Sequence, residues 1–171
     1  MQVEGNLRGG SLDEAAQESE IIVVATPFCD AANTAGALSA ALAGKLVVDI
    51  TNPFGAVPPG QISGIEFNAR AAGSARWVAA YKTNCWKTLD EPQLMDGSRR
   101  DVLVCGDDHQ AKQTVIELIE QTGFRAVDCG QLTNARTLDL MVSLMIELDD
   151  RYQCHTTSSW KFFNSQPARG Q

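Results

Sequence analysis

No apolar run in this 171-residue chain approaches the roughly 20 residues a helix needs to cross a bilayer. The opening Met1–Gly10 (MQVEGNLRGG) lacks the basic-then-apolar order of a secretory leader. The expectation is a cytoplasmic chain without a membrane partner. Basic residues are also few: 14 Lys and Arg against 21 Asp and Glu give a net charge of -7. Scattered rather than clustered, they argue against a nucleic-acid partner or an anionic lipid surface. Two histidines and five cysteines with no C-x-x-C pair make no recognisable metal site. G-x-S-x-G and H-E-x-x-H are absent too, so no catalytic residue can be assigned. The cysteines (Cys29, Cys85, Cys105, Cys129, Cys154) read as reduced and mostly buried. Cys29, where a strand hands over to a helix, reads as structural rather than nucleophilic.

What the chain does have is a series of short apolar runs closed by turn residues. Ser11-Leu12-Asp13-Glu14 has capping-box spacing and predicts a helix over Leu12 to Glu18. A strand follows from Ile21 to Thr26, then a helix from Ala31 to Ala43 capped by Asp30 and stopped by Gly44. Lys45 to Ile50 is a second strand, and its unbroken Leu46-Val47-Val48 predicts burial on both faces, as in parallel sheets. A Pro- and Gly-rich loop runs to Gly64, and a helix from Ile65 to Ala72. Strands are predicted at Arg76 to Tyr81, Asp101 to Cys105 and Arg125 to Asp128. The helix Gln110 to Thr122 should bury Val115, Leu118 and Ile119. A last helix, Asn134 to Asp149, sets Met141, Leu144, Met145 and Leu148 on one face, with Leu140, Val142 and Ile146 elsewhere. Apolar on several sides, it calls for a second cover, and a partner subunit would supply one. The fold class is therefore α/β, three layers around a parallel sheet with a C-terminal helical segment, within one compact domain.

Ligands of open parallel sheets bind outside the carboxyl ends of the strands. Thr26-Pro27-Phe28, Thr51-Asn52-Pro53-Phe54 and Lys82-Thr83-Asn84 stand at those ends. Their amides and hydroxyls suit the ribose, carboxamide or phosphate oxygens of a planar redox ligand, while turn chemistry explains each group equally well. Hydride transfer fits this inventory because the cofactor carries the electronic work. No G-x-G-x-x-G loop precedes Ile21, and that loop is what holds a pyrophosphate against a helix N-terminus.

The segments SEIIVVATPF, LAGKLVVDITNPF, RWVAAYKTN, DVLVCGDDHQAK, GFRAVDCGQLTNARTLD and WKFF, in this order and spacing, cover most of Ser11 to Phe163. Together they resemble the coenzyme F420-dependent NADP oxidoreductase family, a Rossmann-domain group related to pyrroline-carboxylate reductases and to the reductase domain of the STEAP proteins. The resemblance implies a Rossmann-like domain truncated at its N-terminal βαβ unit, which would carry the glycine loop and the residues choosing NADP over NAD. It implies cofactor contacts at Thr26, Pro27, Phe28, Asn52 and Pro53. Substrate contacts are implied at Lys82, Thr83 and Asn84, with the closing segment Ser158 to Phe162, including Trp160, near the acceptor. Arg136, in Thr133-Asn134-Ala135-Arg136, either bridges a subunit contact or reaches an anionic part of the acceptor, the structural role being favoured.

Residues 1–130 then form a partial NAD(P)-binding domain, 131–165 a helix and tail serving the dimer and the cleft, and 166–171 a disordered tail. The function expected is hydride transfer between NADP (or NAD) and a small redox acceptor, either F420 or another flavin, impaired by the missing loop, in a homodimer. The rival is a catalytically silent remnant that acts as a dimerising or protein-binding module.

Overall fold

The structure is a computed structural model and describes residues 8–56 and 58–163. The expectations for Met1–Gly10, read as no secretory leader, and for 166–171, read as a disordered tail, therefore fall largely and wholly outside the described residues. The first helix, α1 (Leu12–Glu18), opens with the predicted capping box: Ser11 Oγ accepts from the Glu14 N–H, and the Glu14 carboxylate accepts from the Ser11 N–H at 2.8 Å. Strand β1 (Ile21–Val24) follows. Helix α2 (Phe28–Ala37) starts three residues before the expected Ala31. Pro27 stands at its N-cap, where a missing N–H costs nothing and the fixed φ suits helix entry, so Asp30 lies inside the first turn instead of capping it. A break at Leu38 separates α2 from the short α3 (Ser39–Leu42).

Strand β2 (Leu46–Asp49) pairs in parallel with β1 on one side and with β3 (Arg76–Ala79) on the other, in the register Val24 to Asp49 to Ala79. All four residues of β2 are buried, as its unbroken apolar run requires. Between β2 and β3 lies α4 (Gly64–Ala69), continued by a 3-10 turn at Arg70–Ala72. A second capping box, Ser63 with Glu66, opens α4.

The sheet runs β1-β2-β3-β4-β5 and is mostly parallel. Strand β4 (Asp101–Gly106) departs from this, pairing antiparallel with β3 at Val78–Gly106 and Ala79–Cys105. A parallel return needs a crossover long enough to span the sheet. Residues 80–100 hold no α-helix, only the 3-10 turn Trp86–Thr88 and isolated bridges at Asn84 and between Gln93 and Arg99, and the chain doubles back. Strand β5 (Arg125–Asp128) runs parallel to β4.

Alternation along the strands sorts the core into two layers. Val47, Trp77, Ala79, Leu103 and Cys105 face α1 to α4 and the start of α6 (Ala135–Tyr152). Leu46, Val48, Val78, Val102 and Val104 face α5 (His109–Gln121). Two buried faces were misread from sequence. On α5 the buried residues are Ala111, Val115 and Ile119, while Leu118 is 39% exposed. On α6 they are Ala135, Leu138, Asp139, Val142, Met145 and Asp149, and Leu144 is exposed. The cysteines also differ from expectation: only Cys105 is buried, Cys29 is exposed in the first turn of α2, and the rest are half-buried.

Candidate functional site

The exits of β2 and β3 are wired together by buried polar groups. Asp49, fully buried at the end of β2, accepts from the Thr51 N–H at 2.7 Å and from Asn68 Nδ2 at 2.8 Å. Asn68 reaches there because the capping box fixes α4 directly above the strand end. Lys82, immediately beyond β3, turns inward with its side chain fully buried; Nζ donates to the Thr51 carbonyl and pairs with Asp139 Oδ1 of α6 at 3.0 Å. The other carboxylate oxygen of Asp139 accepts from the Gly64 N–H at 2.7 Å, at the start of α4. Four elements thus meet at one ion pair. A Cβ at Gly64 would lie 3.0 Å from the Phe28 ring and 3.3 Å from Pro53, so any larger residue there would push these two side chains back.

This anchor lays α6 across the strand exits and divides the space above them in two. On one side, a cavity of about 230 Å³ is lined by Asn52, Phe54, Tyr81, Asn84, Cys85, Trp86 and Leu89, with Val142, Met145, Ile146 and Asp149 of α6. On the other, a wider cleft of about 620 Å³ is lined by Pro53, Gly55, Pro58, Gln61 and Ile62, with Arg136, Asp139, Leu140 and Ser143. Alternate loop residues serve alternate sides: Asn52 and Phe54 the first, Pro53 and Gly55 the second.

Two features mark the smaller cavity. Phe54 (φ 47°) and Tyr81 (φ 55°) both adopt the left-handed conformation, which costs a bulky residue on the order of 1–3 kcal/mol and persists only where the surroundings enforce it. Tyr81 is held by an edge-on contact with Phe124, ring centroids 5.8 Å apart. The amide groups are oriented as well: Asn52 Nδ2 donates to the Lys82 carbonyl at 2.8 Å and Asn84 Nδ2 to the Asp101 carbonyl at 3.1 Å. Trp86, 73% exposed, forms the rim with the Lys87 ammonium 5.7 Å from its ring centroid. Chemically this is an aromatic, largely apolar slot with amide edges, suited to a flat ring rather than to proton transfer by a titrating side chain.

The structure brings only some of the sequence-derived candidates together. Asn52 and Asn84 line the smaller cavity, and Pro53 and Arg136 the larger. Phe28 packs over Pro53 at Gly64 and lies 6.1 Å from the Phe67 ring, joining the β1 exit to the β2 exit. Thr26 lies instead in an apolar groove beside β1, and Pro27 is exposed. Lys82 and Thr83 are buried beneath the cavities rather than lining them. Trp160 lines neither; its indole N–H donates to the Met141 carbonyl at 3.3 Å. Arg136 grips Glu66 with a two-pronged contact, Nε to Oε2 at 2.8 Å and Nη2 to Oε1 at 2.6 Å, within one chain. Burial pushes the Glu66 carboxyl up, but the Arg136 guanidinium and the Ser63 N–H and hydroxyl outweigh it and bring it down to about 2.

Sequence reasoning missed Asp49, Asn68, Asp139, Tyr81 and Trp86. The Ser63-x-x-Glu66 spacing was a readable signal for the start of α4, but nothing local marks a helix aspartate as buried. Among the described residues, no group of three or more His, Cys, Asp or Glu could hold a metal ion. No helix among them is long and apolar enough to cross a membrane.

Comparison with known proteins gives a consistent direction. The family described as NADP oxidoreductase coenzyme F420-dependent matches residues 2–53. The chain is 29% identical over 167 residues to the F420-dependent NADP reductase of Methanocaldococcus jannaschii, covering 91% of this chain and 73% of that protein. It is 33% identical over 129 residues to Metalloreductase STEAP3 of Rattus norvegicus, covering 74% of this chain but 26% of that one. A crystal structure from Arthrobacter sp. FB24, described as a candidate F420-dependent NADP reductase, superposes with a TM-score of 0.78 at 26% identity, over 92% of this chain and 74% of its own. Pyrroline carboxylate reductase of Plasmodium falciparum, at 15% identity and a TM-score of 0.51, shares the fold.

Proposed function

We propose that this chain, which is similar to coenzyme F420-dependent NADP oxidoreductases, is an NADP-dependent oxidoreductase whose hydride partner is a flavin or deazaflavin ring. The observation that carries this reading is the slot between the left-handed Phe54 and Tyr81, closed by α6 and rimmed by Trp86. A cavity of about 230 Å³ is too small for a whole dinucleotide and suits one ring system entering from the rim.

Bound NADP supplies the ring carbon that gives or takes the hydride. The chain's own part is orientation and the exclusion of water. Phe28 and Pro53 form a hydrophobic shelf joining the β1 and β2 exits for the nicotinamide end, with Thr26 and Pro27 on the approach. Asn52 and Asn84 offer amide edges to ring substituents, and Trp86 stacks on the acceptor face. Lys82, through Asp139, holds α6 in place, and Thr83 packs behind it; neither needs to touch the substrate. Arg136, held by Glu66 at the mouth of the wider cleft, attracts the phosphate or carboxylate of an entering ligand.

The ring end of NADP fits these residues better than its phosphates do. The sequence holds no G-x-G-x-x-G, and Asp30 in the first turn of α2 opposes an anion there. With that acidic residue unfavourable to a phosphate at the start of α2, this chain is expected to hold NADP by its ring end and to bind it weakly. NADPH titration followed by nicotinamide fluorescence tests the affinity, and a micromolar or tighter Kd overturns the claim of weak binding. Oxidation of NADPH with F420, riboflavin phosphate and ferric chelates in turn identifies the acceptor, and no turnover with any of them overturns the enzymatic reading.

A second reading, a dimerising module, is favoured by Leu140 and Leu144, both exposed one turn apart on α6. A homodimer through this pair is compatible with activity. Sedimentation of the chain with Leu140→Glu separates the two: dissociation with unchanged turnover leaves catalysis to the single chain.

A further inference from the structure

Strands β4 and β5 pair in parallel from Asp101–Arg125 to Val104–Asp128. The ladder continues past that point. The Cys129 N–H donates to the Val104 carbonyl at 2.7 Å, and the Gly106 N–H to the Gly130 carbonyl at 3.1 Å. Cys105 and Cys129 therefore stand beside each other across neighbouring strands, and both belong to the same core layer. Opposed Cα atoms in neighbouring strands are about 5 Å apart, within the roughly 4.4–6.8 Å that a disulfide spans. The pair is asymmetric. Cys105 is fully buried, whereas Cys129 is half-buried next to the turn at Gly130, which adopts φ 86° and ends the strand.

We propose that Cys105 and Cys129 form a dithiol site oxidised by hydroperoxides to an intrachain disulfide, with Cys129 as the attacking sulfur and Cys105 as the resolving one. The Cys129 thiolate attacks the distal oxygen of a hydroperoxide; the S–O bond forms, the O–O bond breaks, and the alkoxide leaves with a proton as an alcohol. Cys105 then attacks the sulfenic sulfur; the S–S bond forms, the S–O bond breaks, and hydroxide leaves with the Cys105 proton as water. Two thiols are oxidised to one disulfide, and the peroxide takes both electrons.

The surroundings suit these roles. The neighbouring Cys105 thiol draws Cys129 down to about 7, against the opposing effects of burial and of Asp128, with the Val104 backbone and the Lys112 ammonium assisting. The Cys129 thiol and burial together hold Cys105 in its protonated form. The attacking thiol is thus the accessible one with thiolate character near neutral pH, and the resolving thiol is shielded from the oxidant. The other three cysteines lie on other elements: Cys29 sits on α2, Cys85 before the turn at Trp86, and Cys154 after α6. Neither step uses the proposed hydride chemistry, so this inference stands or falls independently of it.

The experiment treats the reduced full chain with one equivalent of hydrogen peroxide and maps peptides without reduction. The expected result is a cross-linked peptide pair holding Cys105 and Cys129, with a rate that rises through about pH 7 and is restored to baseline by dithiothreitol. Cys105→Ala is expected to stop at a Cys129 sulfenic acid that dimedone traps. Cys29→Ser, Cys85→Ser and Cys154→Ser together are expected to leave the cross-link intact. The proposal is overturned if the wild-type chain, still folded by circular dichroism, gives a cross-link between other cysteines. It is equally overturned if dimedone labels Cys129 while Cys105 stays free for alkylation after unfolding.

Discussion

Lys82 and Asp139 meet at 3.0 Å with the lysine side chain fully buried, although one follows β3 and the other lies in the last helix. Their partners are backbone groups, the Thr51 carbonyl for Lys82 and the Gly64 N–H for Asp139, so breaking the pair also strands two loops. Asp139→Ala leaves a buried cation without its counter-charge and is expected to cost about 3–5 kcal/mol. Lys82→Met with Asp139→Leu removes both charges and should cost clearly less than the two single changes summed. Urea unfolding of the four chains checks this, and strict additivity would show that the two side chains act separately.

Acid should loosen α6 through Glu66. Its folded-state value of about 2 lies below the ordinary 4.5, so the stability it contributes is complete above about 4.5 and is lost as pH falls through about 2. Asp101 moves in the same direction: burial raises it, but Arg125, the Phe162 N–H and Lys161 lower it further, which adds to the acid sensitivity. Glu66→Gln keeps the Ser63 contacts in part and removes the ionisation. Its thermal midpoint should therefore fall less steeply than wild type between about pH 4.5 and 2, and parallel curves would contradict the assignment.

How much of this could be read from residue order varies by element. Apolar runs closed by turn residues placed all five strands within two residues of their observed ends, most clearly β2 and β4, whose burial on both faces tolerates no polar interruption within the run. The capping box at Ser11 was read and the equivalent one at Ser63 was not, since the Pro-rich stretch before it looked like uninterrupted loop. The buried stripe of α6 was misplaced for a different reason. Counting apolar residues favoured Met141, Leu144 and Leu148, but Asp139 and Asp149 are buried and pull the inner face round to Ala135, Leu138, Val142 and Met145. A charge buried by a partner far along the chain leaves no trace in its own neighbourhood. The candidate site followed the same division, with Asn52, Pro53 and Asn84 readable as strand exits and Tyr81 and Trp86 visible only once the chain doubles back.

Trp86 should report on ligand entry. Its ring is exposed at the cavity rim, whereas Trp77 is buried and Trp160 is tied to α6. Stacking of a flavin or deazaflavin is expected to quench the Trp86 share of the fluorescence, and Trp86→Ala to weaken the acceptor by about fivefold, from about 1 kcal/mol of aromatic contact. Quenching that survives in Trp86→Ala would move the ligand away from this slot.

Among the described residues, the outer edge of β1 has no partner strand. Strand β1 lies at the end of the sheet order, and Val23 on it is 56% exposed above a groove formed with α1 and α2. Unpaired N–H and C=O groups along an apolar edge invite pairing with another chain. The wild-type chain should therefore associate with rising concentration, beyond any dimer made by α6. Val23→Lys places a charge in that row without touching the buried Val24 or Val47, so stability should change by no more than about 0.5 kcal/mol. Light scattering over a concentration series is expected to show the association suppressed in Val23→Lys and retained in Leu140→Glu; the reverse pattern would assign it to α6 instead.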